Sequence, residues 1–284
     1  MYDLKALQKK ELDILKAVHE VCEKLKIEYI IMYGTLIGAV RHKGFIPWDD
    51  DIDICMTRDS YDIFIKYGQQ YLPENLRIQH AYCEKQCPNY FAKVRDVNTL
   101  FLHSEHVDLD INQGVFIDIF PIDRVKRGKI HIIYENLRRR FFSIVNECFD
   151  VAYVKTIKRP ISKIIGYFIH YFLVRGILRG VKRNQLILKE EERRRKIHKK
   201  GDDCAFYSLF MNITGPYSLF TNRKLFSFEN YEFYGPANYD YILSVLYGDY
   251  MKLPPKEKQV SHKPMMVDLN RGYSKKEIDN ILKK

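Results

Sequence analysis

Leu4, Leu7, Leu12, Leu15, Val18, Cys22 and Leu25 recur mostly at steps of three or four with charged residues between them, which predicts an amphipathic helix over 3–26. The period then changes. Residues 29–33 (YIIMY) form a short apolar run closed by Gly34, a buried strand, and 35–40 (TLIGAV) a short helix. Gly44 and Pro47 break 41–48 into a loop. Over 51–56 (DIDICM) polar and apolar residues alternate, the strand period. A helix is expected over 59–71 and strands over 76–80, 90–96 and 115–120 (VFIDIF), the last stopped by Pro121. Most of 130–200 reads as helix, 223–234 as a hairpin turning at Glu229-Asn230, and 238–247 as a helix ended by Gly248. The order α-β-α-β-α-β-β-β followed by helices is that of an α+β chain.

A hydrophobic share of 46% with 29% charged residues over 284 positions excludes disorder along the whole chain. Six cysteines are too sparse for a disulfide scaffold. The most apolar stretch, Ile164 to Val174, is 11 residues long and contains His170, whereas spanning a bilayer takes about 20. The first 16 residues are charged and amphipathic, unlike a signal peptide, so a reducing cytoplasmic setting is expected.

Charge changes the picture more. Residues 124–200 hold 22 Lys/Arg against 6 Asp/Glu, while the rest of the chain holds 25 against 30. A mildly acidic protein therefore carries a basic insert, and such an insert calls for an anionic surface: membrane lipid, nucleic acid or a phosphorylated polymer. No nucleic-acid-binding motif accompanies it, so nucleic acid is not expected. Arg175, Arg179, Lys182 and Arg183, spaced i, i+4, i+7 and i+8, share one face of a helix, just after Ile164, Ile165, Phe168, Phe172 and Leu173. That is the composition of an interfacial helix, so 155–183 is expected to touch the cytoplasmic face of an anionic membrane; a packed helix with a solvated basic side is the plainer alternative.

The densest chemistry is Asp49-Asp50-Asp51-Ile52-Asp53-Ile54. In a strand Asp51 and Asp53 share a face, about 7 Å apart at Cα, and repel unless a cation sits between them. Oxygen ligands without neighbouring His or Cys select Mg²⁺ or Mn²⁺, which commonly bridge carboxylates to phosphates. Asp49 and Asp50 stand at the strand entrance. Asp118 is the lone carboxylate of VFIDIF; set beside the first strand it completes a triad, unless it pairs with a cation such as Arg95. Gly34-Thr35 ends a strand and opens a helix, where backbone can approach a phosphate. Arg41, His42 and Lys43 follow, and Lys93 and Arg95 share a face of their strand. His80, Cys83 and Cys87, with His103 or His106, have the chemistry of metal ligands, but reduced structural cysteines are the simpler reading.

GTLIGAVRHKGFIPWDDDIDICM (34–56) closely resembles the signature of the LicD family, and the resemblance continues through AKVRDVNT (92–99), GVFIDIFPID (114–123), LYGDYMKLPPKEK (246–258) and SHKP (261–264). It covers most of 1–123 and roughly 217–270, and leaves 124–216 as a separate helical insert. The resemblance implies a nucleotidyltransferase-like fold: a small mixed sheet flanked by helices, with 1–123 as catalytic core and 217–284 completing it. It implies Mg²⁺ on Asp51, Asp53 and Asp118, and an enzyme that moves phosphocholine from CDP-choline onto a cell-surface glycan such as lipopolysaccharide or teichoic acid, releasing CMP. The fukutin-related proteins, which take ribitol phosphate from a CDP donor, look like distant relatives. Gly34, Thr35, Arg41, His42, Lys43, Asp49, Asp50, Lys93 and Arg95 are then the expected substrate contacts, and Asp118, Asp49 or Asp50 the general base. A choline donor calls for an aromatic cage; Tyr231, Phe233, Tyr234 and Tyr239 are the densest aromatic cluster. The rival readings are a metal-dependent glycosyltransferase using a nucleotide sugar and a template-independent nucleotidyltransferase that releases pyrophosphate.

Overall fold

A computed structural model describes residues 2–203, 205–207 and 213–283. Residues 204 and 208–212, within the expected insert 124–216, lie outside the described residues. Helix α1 (Leu4–Leu25) starts where the Asp3 carboxylate accepts the N–H groups of Lys5 and Ala6, and stops where Lys26 turns to a φ of 54°. Its inner face buries Leu7, Ile14, Leu15, Val18 and Cys22, but also Gln8 and Glu11. Strand β1 (Tyr29–Ile31) leads into α2 (Tyr33–Arg41), and β2 (Asp53–Thr57) into α3 (Arg58–Tyr67). Then come β3 (Leu76–Gln79), β4 (Ala92–Asp96), β5 (Leu100–Leu102) and β6 (Phe116–Arg124).

The central sheet runs β1-β2-β6-β4-β3, with β2 and β6 parallel and the other pairs antiparallel. Strand β6 continues through Pro121 instead of stopping there. On the side away from β2, its pairing with β4 ends at Ile119 and its pairing with a later strand resumes at Asp123. Pro121 falls in the gap, where no backbone donor is needed on that side.

The basic segment contains α4 (Lys129–Glu147), α5 (Val151–Thr156), α6 (Pro160–Phe168), a π-helical stretch (Ile169–Ile177) and α7 (Arg183–Lys200). It is not one continuous helix. Gly180, at a φ of 83°, turns the chain between the π-helical stretch and α7, so Arg175, Arg179, Lys182 and Arg183 do not share a helix face. Nor is α7 simply a solvated charge run: Glu190 and Glu191 are buried, and Glu191 bonds Arg58 of the core. Strands β7 (Ala205–Tyr207) and β8 (Ile213–Gly215) extend the central sheet from the far end of β6.

After the short α8 (Ser218–Thr221), β9 (Arg223–Phe228) and β10 (Tyr231–Pro236) form the expected hairpin. Its tip clamps the loop that leads to the aspartates: Glu229 Oε1 accepts from Phe45 N–H and Glu229 N–H donates to Lys43 O. Gly44 leaves the Glu229 carboxylate its place, since a Cβ there would lie 2.2 Å from Glu229 Oε1 and displace it. Helix α9 (Tyr239–Tyr247) follows, and β11 (Met266–Asp268) pairs with β5 before α10 (Lys275–Leu282). Next to that pairing, Met265 N–H donates to Leu102 O and His262 N–H to Asp50 Oδ1, so the chain before β11 returns to the N-terminal part of the molecule. Among the described residues, no helix is long and apolar enough to cross a membrane.

Candidate active site

Parallel pairing puts Asp53 in register with Asp118, and Asp118 N–H donates to Ile52 O at 2.8 Å. Register partners on adjacent strands present their side chains on the same face. The chain entering β2 adds Asp49 and Asp51, although Asp51 precedes the strand proper, which begins at Asp53. Asp49, Asp51, Asp53 and Asp118 line one cavity of about 410 Å³, together with Tyr33, Gly34, Phe91, Phe120, Tyr247 and His262.

The β1–α2 turn fixes this arrangement. Asp53 N–H donates to Thr35 Oγ1 at 2.8 Å and Met32 N–H to Asp53 O at 3.0 Å, so the Thr35 hydroxyl holds the strand rather than pointing free at a substrate. Gly34 leaves room for Asp49: a Cβ there would sit 2.6 Å from Asp49 Oδ2. From α1, Gln8 Nε2 donates to Asp49 O at 2.9 Å. Asp50 points away from the cavity and is fully engaged. It accepts from His262 Nδ1 at 2.7 Å, from His262 N–H at 3.0 Å and from Tyr2 OH at 3.2 Å.

Crowding the carboxylates makes their ionisation costly. Burial, then the neighbouring carboxylates, pushes Asp51 up to about 7; burial, opposed by His262 and assisted by the charge of Asp50, raises Asp49 to about 6. Burial, then Asp51 and Asp118, holds Asp53 well above the usual range. Burial works the same way on Asp50 but is outweighed by the His262 hydrogen bonds, which keep it low. The bond to Asp50, more than the opposing effect of burial, raises His262 to about 9. Behind the cluster, Glu11 is buried with Oε2 unpartnered, and burial followed by the charges of Asp51, Asp50 and Asp49 raises it strongly.

The expected basic contacts are placed differently. Asp118 pairs with Lys93, Nζ to Oδ1 at 2.7 Å, not with Arg95. Arg95 is fully buried and donates to Gln79 Oε1 and Gly114 O. Arg41 donates to Tyr250 O and to His42 Nε2, the His42 ring meets Trp48 edge-on, and Lys43 is exposed. None of Arg41, His42, Lys43, Lys93 and Arg95 is in the cavity wall; Lys93 reaches it through Asp118. The cluster of Tyr231, Phe233, Tyr234 and Tyr239 belongs to the hairpin and the start of α9, with Phe233 and Tyr234 packed on His19 and Tyr29, and lies outside the wall. His80 bonds Glu191, and Cys83 is exposed while Cys87 is buried, so no His-Cys metal cluster forms among the described residues.

Residue-by-residue reasoning missed His262, Tyr2, Tyr247 and Glu11. His262 lies within SHKP, which entered only through the resemblance, and a lone polar residue in an apolar helix face is the only trace Glu11 leaves.

Carboxylates on two adjacent parallel strands, beside a Gly-Thr turn that opens a helix, define a domain of the nucleotidyltransferase kind. The family described as "LicD/FKTN/FKRP, nucleotidyltransferase domain" matches residues 26–143. The lipopolysaccharide cholinephosphotransferase LicD of Haemophilus influenzae is 31% identical over 261 residues, 88% of this chain and 92% of that protein. Uncharacterized proteins of Rickettsia prowazekii and Rickettsia typhi are 33% and 31% identical over 42% of this chain, covering 47% and 40% of their own lengths. The chain belongs to the LicD family and is an enzyme, a transferase.

Proposed function

We propose that this enzyme moves phosphocholine from CDP-choline onto a sugar hydroxyl of a cell-surface glycan, lipopolysaccharide or teichoic acid, and releases CMP. The observation that carries the reading is a cavity walled by four carboxylates in a chain similar over 88% of its length to a lipopolysaccharide cholinephosphotransferase.

The donor set fits a hard divalent cation such as Mg²⁺ or Mn²⁺: oxygen ligands, like-charged and half-buried, with room kept by Gly34. Among the described residues, the metal-ligating atoms mutually within 4.8 Å are those of Asp49, Asp50 and His262. His262, however, already has its Nδ1 held by Asp50 Oδ1 at 2.7 Å. Asp51 and Asp53, with Asp118 opposite, are therefore the residues assigned to hold the ion, which when bound would neutralise the donor's pyrophosphate and the departing CMP. Gly34 lets backbone approach the phosphate. Lys93 steadies Asp118 from behind, and His262 and Tyr2 fix Asp50. With Asp50 engaged, Asp118 and Asp49 remain to accept the proton of the attacking hydroxyl. CMP is the expected product; pyrophosphate in its place would move the chain to template-independent nucleotidyltransfer.

The metal assignment has a consequence in stability. Asp49 and Asp51 are raised from the usual 3.8 to about 6 and about 7. An acid raised by folding stabilises the fold while protonated, so that contribution is complete below about pH 4 and is lost as pH climbs through 7. A bound cation would restore it, and the cation must displace those protons. Mg²⁺ is therefore expected to raise Tm clearly at pH 8 and little at pH 5. Equal shifts at both pH values would speak against binding at these carboxylates.

The acceptor side suggests a membrane surface. One face of α4 exposes Ile130, Ile133, Tyr134, Leu137, Phe141 and Ile144, and the α6 region exposes Ile161, Ile164, Phe168, Tyr171, Phe172 and Ile177. Ile130 is 82% exposed and Ile161 75%. Lys155, Lys158, Arg159, Arg175 and Arg179 are exposed along the same segment. Apolar side chains in a cationic surround suit the cytoplasmic face of an anionic bilayer. The protein is expected to sediment with phosphatidylglycerol vesicles and not with phosphatidylcholine vesicles, and Phe168→Glu with Ile164→Glu to lose that binding. Unchanged sedimentation of the double variant would remove this surface from consideration.

A further inference from the structure

A second cavity, about 280 Å³, opens beside the aspartate cavity and shares Phe91 and His262 with it. Its chemistry differs from that of a phosphate site. The rings of Tyr90, Phe91 and Tyr153 meet three carboxylates, Glu105, Glu147 and Asp150. Asp150 is neutralised by Arg183. Glu147 accepts hydrogen bonds from the hydroxyls of Ser143 at 3.0 Å and Tyr153 at 2.8 Å. Among the described residues, no Lys or Arg forms a salt bridge with Glu147 or Glu105. Three histidines also border the cavity, and the charge of one of them, His262, is met by Asp50, whose Oδ1 lies 2.7 Å from its Nδ1. Burial drives His103 down to about 3 and His106 well below its usual range, so neither supplies a cation. The result is a negatively charged aromatic pocket in a chain of formal charge +11.

We propose that this cavity receives the cationic trimethylammonium head of the donor, with Glu147 and Glu105 supplying the countercharge and Tyr90, Phe91 and Tyr153 the aromatic faces. A quaternary ammonium has no N–H to donate, so it is recognised by ring faces and carboxylates rather than by directed hydrogen bonds. A phosphate would be repelled by these carboxylates, and Glu147 already accepts two protein hydroxyls, which leaves its charge rather than further directed hydrogen bonds to offer. The shared walls at Phe91 and His262 place this pocket next to the carboxylates assigned to the donor's pyrophosphate. The inference rests on the phosphocholine reading above and locates the part of the chain that would select the head group.

The test compares the full-length enzyme with Glu147→Gln and Glu105→Gln, both of which remove charge and keep volume. KM for CDP-choline is measured beside the inhibition constant of CDP, which lacks the head group. Each variant is expected to raise KM for CDP-choline about tenfold, on the scale of a desolvated cation–aromatic contact, and to leave CDP inhibition unchanged. Glu105 is half-buried on a short turn, so Glu105→Gln remains decisive if Glu147→Gln fails to fold. An unchanged KM for CDP-choline, an equal weakening of CDP, or a rise confined to the glycan's KM would each overturn the assignment. In the first of these cases the wild-type enzyme still turns over CDP-choline, so only the head-group site falls. If the wild-type enzyme ignores CDP-choline and turns over CDP-ribitol or CDP-glycerol instead, the phosphocholine reading falls, and this inference with it.

Discussion

Asp51→Ala and Asp53→Asn are each expected to lower transfer by roughly a thousandfold or more, because the ion we propose they hold would contribute several kcal/mol to stabilising charge on the reacting phosphates. Neither should lower the melting temperature of the metal-free protein. Desolvation, then mutual repulsion, raises these half-buried carboxylates, so deleting one relieves strain that the fold otherwise sustains. The combination of lost activity and an undiminished Tm separates a functional carboxylate from a structural one. A variant that folds and keeps a tenth of wild-type activity would take these two residues out of the mechanism.

The largest expected loss of stability lies elsewhere, at Arg58. Its guanidinium is buried, with Nε 2.6 Å from Asp123 Oδ1, Nη2 3.0 Å from Asp123 Oδ2 and Nη1 3.2 Å from Glu191 Oε1. Asp123 lies near the end of β6 and Glu191 on α7, so one side chain ties the central sheet to the basic segment. Burial opposes the charge, but Asp123 and Glu191 outweigh it and hold Arg58 ionised. Arg58→Met would strand two buried carboxylates and is expected to cost about 3–5 kcal/mol. In a chain of this size that corresponds to a fall in Tm of roughly 10 °C, read by thermal or urea unfolding. A fall of only a degree or two would mean that Arg194 and Arg195, which also approach these carboxylates, suffice without it.

Period and breakers made the aspartate-bearing N-terminal region legible. Helix α1, the turn at Gly34, the strand carrying Asp53 and the strand carrying Asp118 are local features, each written in fewer than about 25 consecutive residues. The hairpin at Glu229-Asn230 was legible for the same reason. What periodicity does not carry is which elements meet. His262 stands 212 positions from Asp50, and only the pairing of β11 with β5 brings them together. Lys93, not Arg95, faces Asp118 because Lys93 is its register partner across β4 and β6, and the sequence does not state that register. The charge count in 124–200 misled in part: Arg58, His80 and Asp62 of the core meet Glu191 and Arg195 of α7, so several charges of the apparently solvated run face inward. The apolar face of α4 was hidden within a stretch read only as helix.

The most direct test is nucleotide release from a panel of donors. The purified protein with Mg²⁺ and a cell-envelope glycan extract would be given CDP-choline, CDP-ribitol, CDP-glycerol and UDP-glucose separately. CMP from CDP-choline, dependent on both the metal and the glycan, is the expected result. Release of UDP from UDP-glucose with no CMP from any donor would contradict phosphocholine transfer and make the aspartate cavity the metal site of a glycosyltransferase.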